Sequence, residues 1–240
     1  MAQFSSFNNR LPDPVSAYSE AGHTTGSVYG PGFASVTFQS NQPVAMSRTN
    51  SGRVVTRSIA GHNWKIQIKY NPMTRAQFEP VYAFLQEKRG RLKPFEVVLP
   101  QYNSPQTAIT CASGTQLTLP ADIAAGATNF LANNHSSASS GALKQGDMFT
   151  FNDTSNSNHK KVYQITRVMD AAEWLGVQPG NAERRYYVTP SIEKSVESTT
   201  TTLVTTNPTF RVIQTSDVVS YNLKTNNLYE FSLNLEEAQP

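Results

Sequence analysis

The clearest periodicity in the chain lies between Asn63 and Pro100. Trp64, Ile66, Ile68 and Tyr70 alternate with Lys65, Gln67 and Lys69. Period two predicts a strand with one apolar and one wet face. Asn71-Pro72 ends the ladder, because proline has no N–H to donate. Phe78, Val81, Tyr82 and Leu85 then recur at the spacing of one helical face. Thr74 and Gln77 fit a capping box, but Pro80 would then fall in the second turn of the helix. Proline is harmless at the first helical position. The expected helix therefore runs from Pro80 to Lys88, with a break near Glu79 and a separate turn over 74–79. Gly90 suits the helix end and Pro94 lies beyond it. Phe95, Val97 and Leu99 predict a second strand.

The same alternation returns at Tyr229, Phe231, Leu233 and Leu235, against Glu230, Ser232, Asn234 and Glu236. Val44, Met46 and Val54 mark earlier strands around a Ser51-Gly52 turn. These rows predict one core domain, residues 44–100 completed by 208–240. Residues 101–207 are rich in Ala, Ser and Thr, with short strand signals at Leu117/Leu119, Met148–Phe151, Val162/Tyr163/Ile165, Tyr186–Val188 and Leu203/Val204. They read as an inserted small β-barrel-like domain. Asn133–Gly141 reads as a low-complexity loop and Asn152–Asn158 as a hairpin tip. Residues 1–43 carry Gly, Pro and Ser clusters with little period and are expected to form an extended N-terminal arm.

Composition narrows the function classes. The 240 residues hold 20 Lys plus Arg against 17 Asp plus Glu, a formal +3. That excess does not predict the basic face of a nucleic-acid binder. Charged residues are only 15% while mean hydropathy is −0.43, so uncharged polar side chains supply the surface, as in turn-rich β proteins. Cys111 is the single cysteine, which excludes an internal disulfide and any zinc site needing two cysteines. No signal-peptide pattern opens the chain. No window approaches the ~20 apolar residues of a membrane helix. The expectation is a soluble protein made in a reducing compartment.

Candidate chemistry is sparse. His23, His62, His135 and His159 lie far apart in turn-like contexts and read as solvated. Asp147 and Asp153 lack the Asp-x-Asp-x-Asp-Gly register of a calcium loop. There is no Gly-x-Ser-x-Gly elbow and no phosphate loop. Cys111 reads as packing. The basic run Lys88-Arg89-Gly90-Arg91-Leu92-Lys93 suits a helix C-terminus through the dipole, or a subunit contact. Catalytic, cofactor-binding and metal-ligating residues are therefore all assigned as none.

The order of motifs is more informative. Ser51-Gly52-Arg53-Val54, Gly61-His62-Asn63-Trp64 and Tyr70-Asn71-Pro72-Met73-Thr74 form one half. Phe84-Leu85, Gly90-Arg91 and Phe95-Glu96-Val97-Val98-Leu99-Pro100 form the other. Together they resemble the core of phage distal tail and minor tail proteins. Leu143–Phe149, Lys161–Ile165, Asn207–Val212 and the closing Tyr229–Glu236 run extend the resemblance over residues 44–236. It implies a mainly β (α+β) fold: a tail-tube-like β-sheet or β-sandwich core with one flanking helix, plus a small OB-like barrel. It implies a non-enzymatic structural virion protein at the tail tip or baseplate, made in the bacterial host cytoplasm. Its partners would be further copies in a ring, commonly a hexamer, the tail tube protein and hub or baseplate proteins, with no direct nucleic-acid or membrane binding. The competing readings are a carbohydrate- or host-surface-binding β-module, with Tyr18, Tyr29, Tyr102 and Tyr221 as candidate platforms, and a hydrolase with an unrecognised site.

Overall fold

The computed structural model describes residues 9–14, 30–58, 61–111, 114, 116–135, 142–154, 159–170 and 183–238. In chain order the elements are β1 (Phe33–Asn41), β2 (Val44–Arg48), β3 (Val54–Ser58), β4 (Asn63–Tyr70), α1 (Arg75–Lys88), β5 (Phe95–Val98), a short 3-10 turn (Pro100–Tyr102), β6 (Asn129–Ala132), β7 (Met148–Asp153), β8 (Val162–Asp170), β9 (Arg184–Thr189), β10 (Thr201–Val204), β11 (Thr209–Gln214), β12 (Asn222–Leu223), β13 (Tyr229–Glu230) and β14 (Ser232–Glu237). The fold is mainly β, with one α-helix among the described residues. Two compact units separate by contact density: Met1–Val97 with Arg211–Gln239, and Val98–Phe210.

The first unit is a five-stranded sheet in the order β1-β4-β14-β11-β5. The Trp64 strand, β4, has antiparallel neighbours on both sides, with Ile66 opposite Phe38 and Leu235, and Ile68 opposite Val36 and Leu233. Trp64, Ile66, Ile68 and Tyr70 are all buried. The period-two pattern thus selects the face that α1 covers, through Phe78 against Phe231 and Phe84 edge-on to Phe95. Lys65, Gln67 and Lys69 lie exposed on the other face.

Two expectations are corrected here. The helix does not begin at Pro80; it is continuous from Arg75, with Pro80 inside. Gln77 reaches back to accept the Thr74 N–H at 3.1 Å. Pro80 lacks the N–H that would bond the Ala76 carbonyl, but Ala76 is exposed and water can take that oxygen. The helix ends at Arg89 in the left-handed region, φ 54°, followed by Gly90 at φ 62°. A Cβ on Gly90 would sit 2.9 Å from Asp217 Cα, so close backbone approach adds to the conformational demand.

The extended N-terminal arm expected over 1–43 is corrected where its residues are described. Phe33–Asn41 is a strand of the core sheet, β1. Its alternation is broken by a bulge between Phe33 and Ser35, which hides period two from a sequence reading. Farther upstream, Leu11 is fully buried. The Leu11 N–H donates to Glu96 O and the Glu96 N–H to Asn9 O, both at 2.8 Å, so this short segment extends the sheet beside β5. Gly30 lies against it; a Cβ there would meet Asp13 N at 2.6 Å. The rest of the proposed arm, residues 1–8 and 15–29, lies outside the described residues.

The second unit holds an antiparallel sheet in the order β10-β7-β8-β9-β6. Its core is aromatic: Phe130, Phe149, Phe151, Tyr163 and Tyr186, closed by Leu117, Ile165 and Leu203. Leu117 and Leu119 are buried as anticipated, but they flank an isolated bridge, Thr118 to Asn133, rather than sit in a strand. Both turn expectations lie in part outside the described residues, at 136–141 and 155–158.

Candidate functional site

Polar groups gather in three places. The first is at the β7–β8 end of the second unit. His159 is 2% exposed and its Nε2 lies 2.8 Å from the Tyr163 hydroxyl. That hydroxyl also accepts the Glu193 N–H at 3.0 Å. Buried Asp153 and Lys161 lie on the same two strands' ends. Burial pushes the His159 pKa down to about 4, against a raising influence from Asp153, with Lys194 also lowering it. The neutral imidazole is therefore the folded form.

This has a pH consequence. The unfolded chain binds a proton on His159 near pH 6.5, whereas the folded chain does so only near 4. Between those values the unfolded state holds more protons, so stability falls as pH falls. We expect the melting temperature to drop on acidification from about pH 7 to about pH 4.5, and His159→Gln to flatten that drop. Equal slopes in parent and variant would show that His159 is not the titrating group.

The histidines correct the sequence reading. His62, His135 and His159 are buried rather than solvated. His62 bonds Ser40 at 2.8 Å and packs edge-on to Trp64. His135 bonds the Tyr186 hydroxyl at 3.2 Å. Turn residues at a sheet's rim are folded back onto its aromatic side chains, which sequence spacing does not reveal. His23 lies outside the described residues. Cys111 is half-buried beside the same aromatic core, and burial raises its thiol pKa.

The second place is Asp147. One carboxylate oxygen accepts the Gln106 N–H at 2.9 Å and the other the Lys144 N–H at 2.7 Å. Both oxygens hold backbone, so Asp147 latches a turn. Among the described residues no group of three or more His, Cys, Asp or Glu is placed to hold a metal ion.

The third is the basic run, which is not one exposed patch. Lys88 is buried, its ammonium 4.7 Å from the Phe84 ring centroid. Arg91 donates through Nε to Thr215 O at 2.9 Å, and through a second guanidinium nitrogen to the same oxygen. Arg91, although exposed, is therefore a tie within the chain to the segment after β11.

Among the described residues three concavities are small. One of about 270 Å³ lies between Ile109, Leu117 and Leu203–Thr206 in the second unit. Two, of about 190 and 160 Å³, share Asn234 in the first unit and are lined largely by Ser, Thr, Asn and Gln. None brings together a nucleophile, a base and an oxyanion donor. No helix among the described residues is long and apolar enough to cross a membrane. Of the four candidate tyrosine platforms, Tyr18 and Tyr29 lie outside the described residues, and Tyr102 is half-buried with a raised pKa. Tyr221 is 46% exposed, tilted against Phe78 and Tyr229 and edge-on to Tyr82.

What stands out instead is exposed apolar surface. Val44, Met46, Val54 and Val55, at 54%, 65%, 46% and 49% exposed, all lie on the β2–β3 ribbon. Leu92, Val218, Tyr221 and Leu223 are the other exposed large apolar side chains among the described residues. Sequence reasoning found the ribbon's strands but not that both its faces are open.

Comparison with known proteins agrees with these features. The model of the N-terminal part of the A domain of distal tail protein pb9 matches residues 11–102. That match starts at the buried Leu11, upstream of the stretch whose motifs carry the resemblance. Distal tail protein pb9 of Escherichia phage T5 is 31% identical over 161 residues, covering 65% of this chain and 68% of that one. With the Trp64 strand, the single capped helix and the Phe95–Pro100 run all in place within the matched span, the chain belongs to the phage distal tail protein family and is a structural component of a phage tail.

Proposed function

We propose that this chain is a ring-forming subunit at the tail tip, joining the tail tube to the hub or baseplate. Its partners in this reading are further copies of itself, commonly six, with the tail tube protein and the hub proteins on either side. It is made in the host cytoplasm and assembles into the virion. Residues 44–100 with 208–240 act as the tail-tube-like core, now with β1 added, and 101–207 as an inserted barrel-like domain.

The observation that carries this reading is the β2–β3 ribbon. A two-stranded ribbon alone is marginal in water, and exposed apolar groups of this size mark interaction sites. A subunit that is tiled has reason to keep such an element open. Mass measurement or cross-linking of assembled tails should give multiples of 26.4 kDa. One copy per tail would overturn the reading.

A second reading, binding of a carbohydrate or host surface, is favoured by Tyr221, whose ring is presented beside Tyr82 and Tyr229. Selective retention of the purified protein on a glycan surface, lost in Tyr221→Ala, would support it.

A further inference from the structure

Between Glu20 and Glu79 the chain contains no acidic residue. The β2–β3 ribbon falls inside that stretch and carries Arg48, Arg53 and Arg57. Strand alternation and register place Val55 and Arg57 on one ribbon face, with Ser47 and Ala45 opposite them. Arg53, just before β3, accepts the Thr49 N–H through its carbonyl at 3.0 Å, which continues the pairing and puts it two positions from Val55. All of these residues are exposed. Arg57 follows Arg53 by four positions, about 13 Å at the usual rise per residue of a strand.

The outward side of α1 carries the complement. Glu79, Ala83 and Glu87 follow at i, i+4 and i+8, which is one stripe of a helix. The two carboxylates are about 12 Å apart along the axis. Their side chains are 56% and 65% exposed, and Ala83 between them is exposed and small. Arg75 shares Glu79, and Lys88 lies 3.5 Å from Glu87. Each of these pairings uses Oε1 of its glutamate, so an incoming guanidinium can address the other carboxylate oxygen.

We propose that the Arg53–Val55–Arg57 face of the ribbon seats on the Glu79–Ala83–Glu87 stripe of α1 in a second copy of this chain. The inference deepens the ring reading and rests on it. Arginine meets glutamate at each end, at matched spacing, and the Val55 side chain meets the small Ala83 at the centre. The two surfaces differ, so the contact is heterologous. Each copy offers a ribbon to one neighbour and a helix to the other, the arrangement that closes rings. The paired charges set the register of the ribbon along the stripe.

Variants Val55→Cys and Ala83→Cys, each built on Cys111→Ser so that no native thiol competes, test this, in the purified chain at high concentration and in assembled tails. Under mild oxidation, a one-to-one mixture should give covalent dimers that neither variant gives alone, and the double variant should give a ladder. Adding Arg53→Glu with Arg57→Glu should cut the yield at least tenfold, and adding Glu79→Arg with Glu87→Arg on the other face should restore it. Dimers from Val55→Cys alone would mean a self-complementary contact and overturn the assignment. No disulfide ladder, where an amine-reactive cross-linker still gives ring-sized products, would overturn the surfaces and leave the ring standing. Absence of both would remove the ring reading as well.

Discussion

Trp64→Ala should destabilise the first unit by about 3–5 kcal/mol, the usual cost of deleting a buried aromatic. Trp64 is 1% exposed on the central strand pair. Its ring stacks on Phe38 at 4.7 Å and meets His62 edge-on at 4.2 Å. Phe38 belongs to β1 at the sheet's edge, so the void loosens the strand with least other support. The Trp64 N–H also donates to Glu237 on β14 at 3.1 Å, so movement of β4 disturbs both neighbours. A domain's whole stability is typically about 5–15 kcal/mol, so this is a large fraction. Hydrogen exchange read by mass spectrometry should rise across β1, β4 and β14. A variant that exchanges and melts like its parent would show that the ring does not hold this sheet.

Phe149→Ala should do comparable damage to the second unit, again about 3–5 kcal/mol. Phe149 is fully buried, with ring centroids of Phe151, Phe130 and Tyr163 at 5.3, 5.4 and 5.8 Å. Strands β7, β8, β9 and β6 each contribute one or more rings to this cluster, so one deletion reaches four of the unit's five strands. Faster exchange should be confined to residues of the second unit. If Trp64→Ala and Phe149→Ala each accelerated exchange in both units equally, the two bodies would unfold as one, and the inserted-domain reading would fall.

The family was legible because its motifs are short-range. Trp64, Asn71-Pro72, Gly90 and Phe95–Pro100 each mark a local event: a strand face, a stop, a helix end, a strand. Such events are written in adjacent residues and survive without knowledge of the partner. The helix start was misplaced because Pro80 carries a strong average penalty. Here the first-turn bond to Gln77 and an exposed Ala76 carbonyl leave little of that penalty to act. Strand β6, Asn129–Ala132, left no readable signal in its Ala- and Asn-rich surroundings. It exists because Phe130 fills the aromatic core from its place beside β9.

The docking surfaces were legible only in part. The arginines of the ribbon and the glutamates of the helix can be counted in the sequence, but their exposure cannot. By itself the sequence determined the alternating rows, the helix before Gly90, the lack of a second cysteine and the kinship with tail proteins, since all of these follow from residue type and spacing along the chain. The tertiary structure alone decided that Phe33–Asn41 joins the sheet, that Leu11 is core, that three histidines are buried and that the β2–β3 ribbon is open on both faces. Those outcomes depend on what packs against each segment across long sequence separations, and burial is a property of the assembled surface rather than of any local pattern.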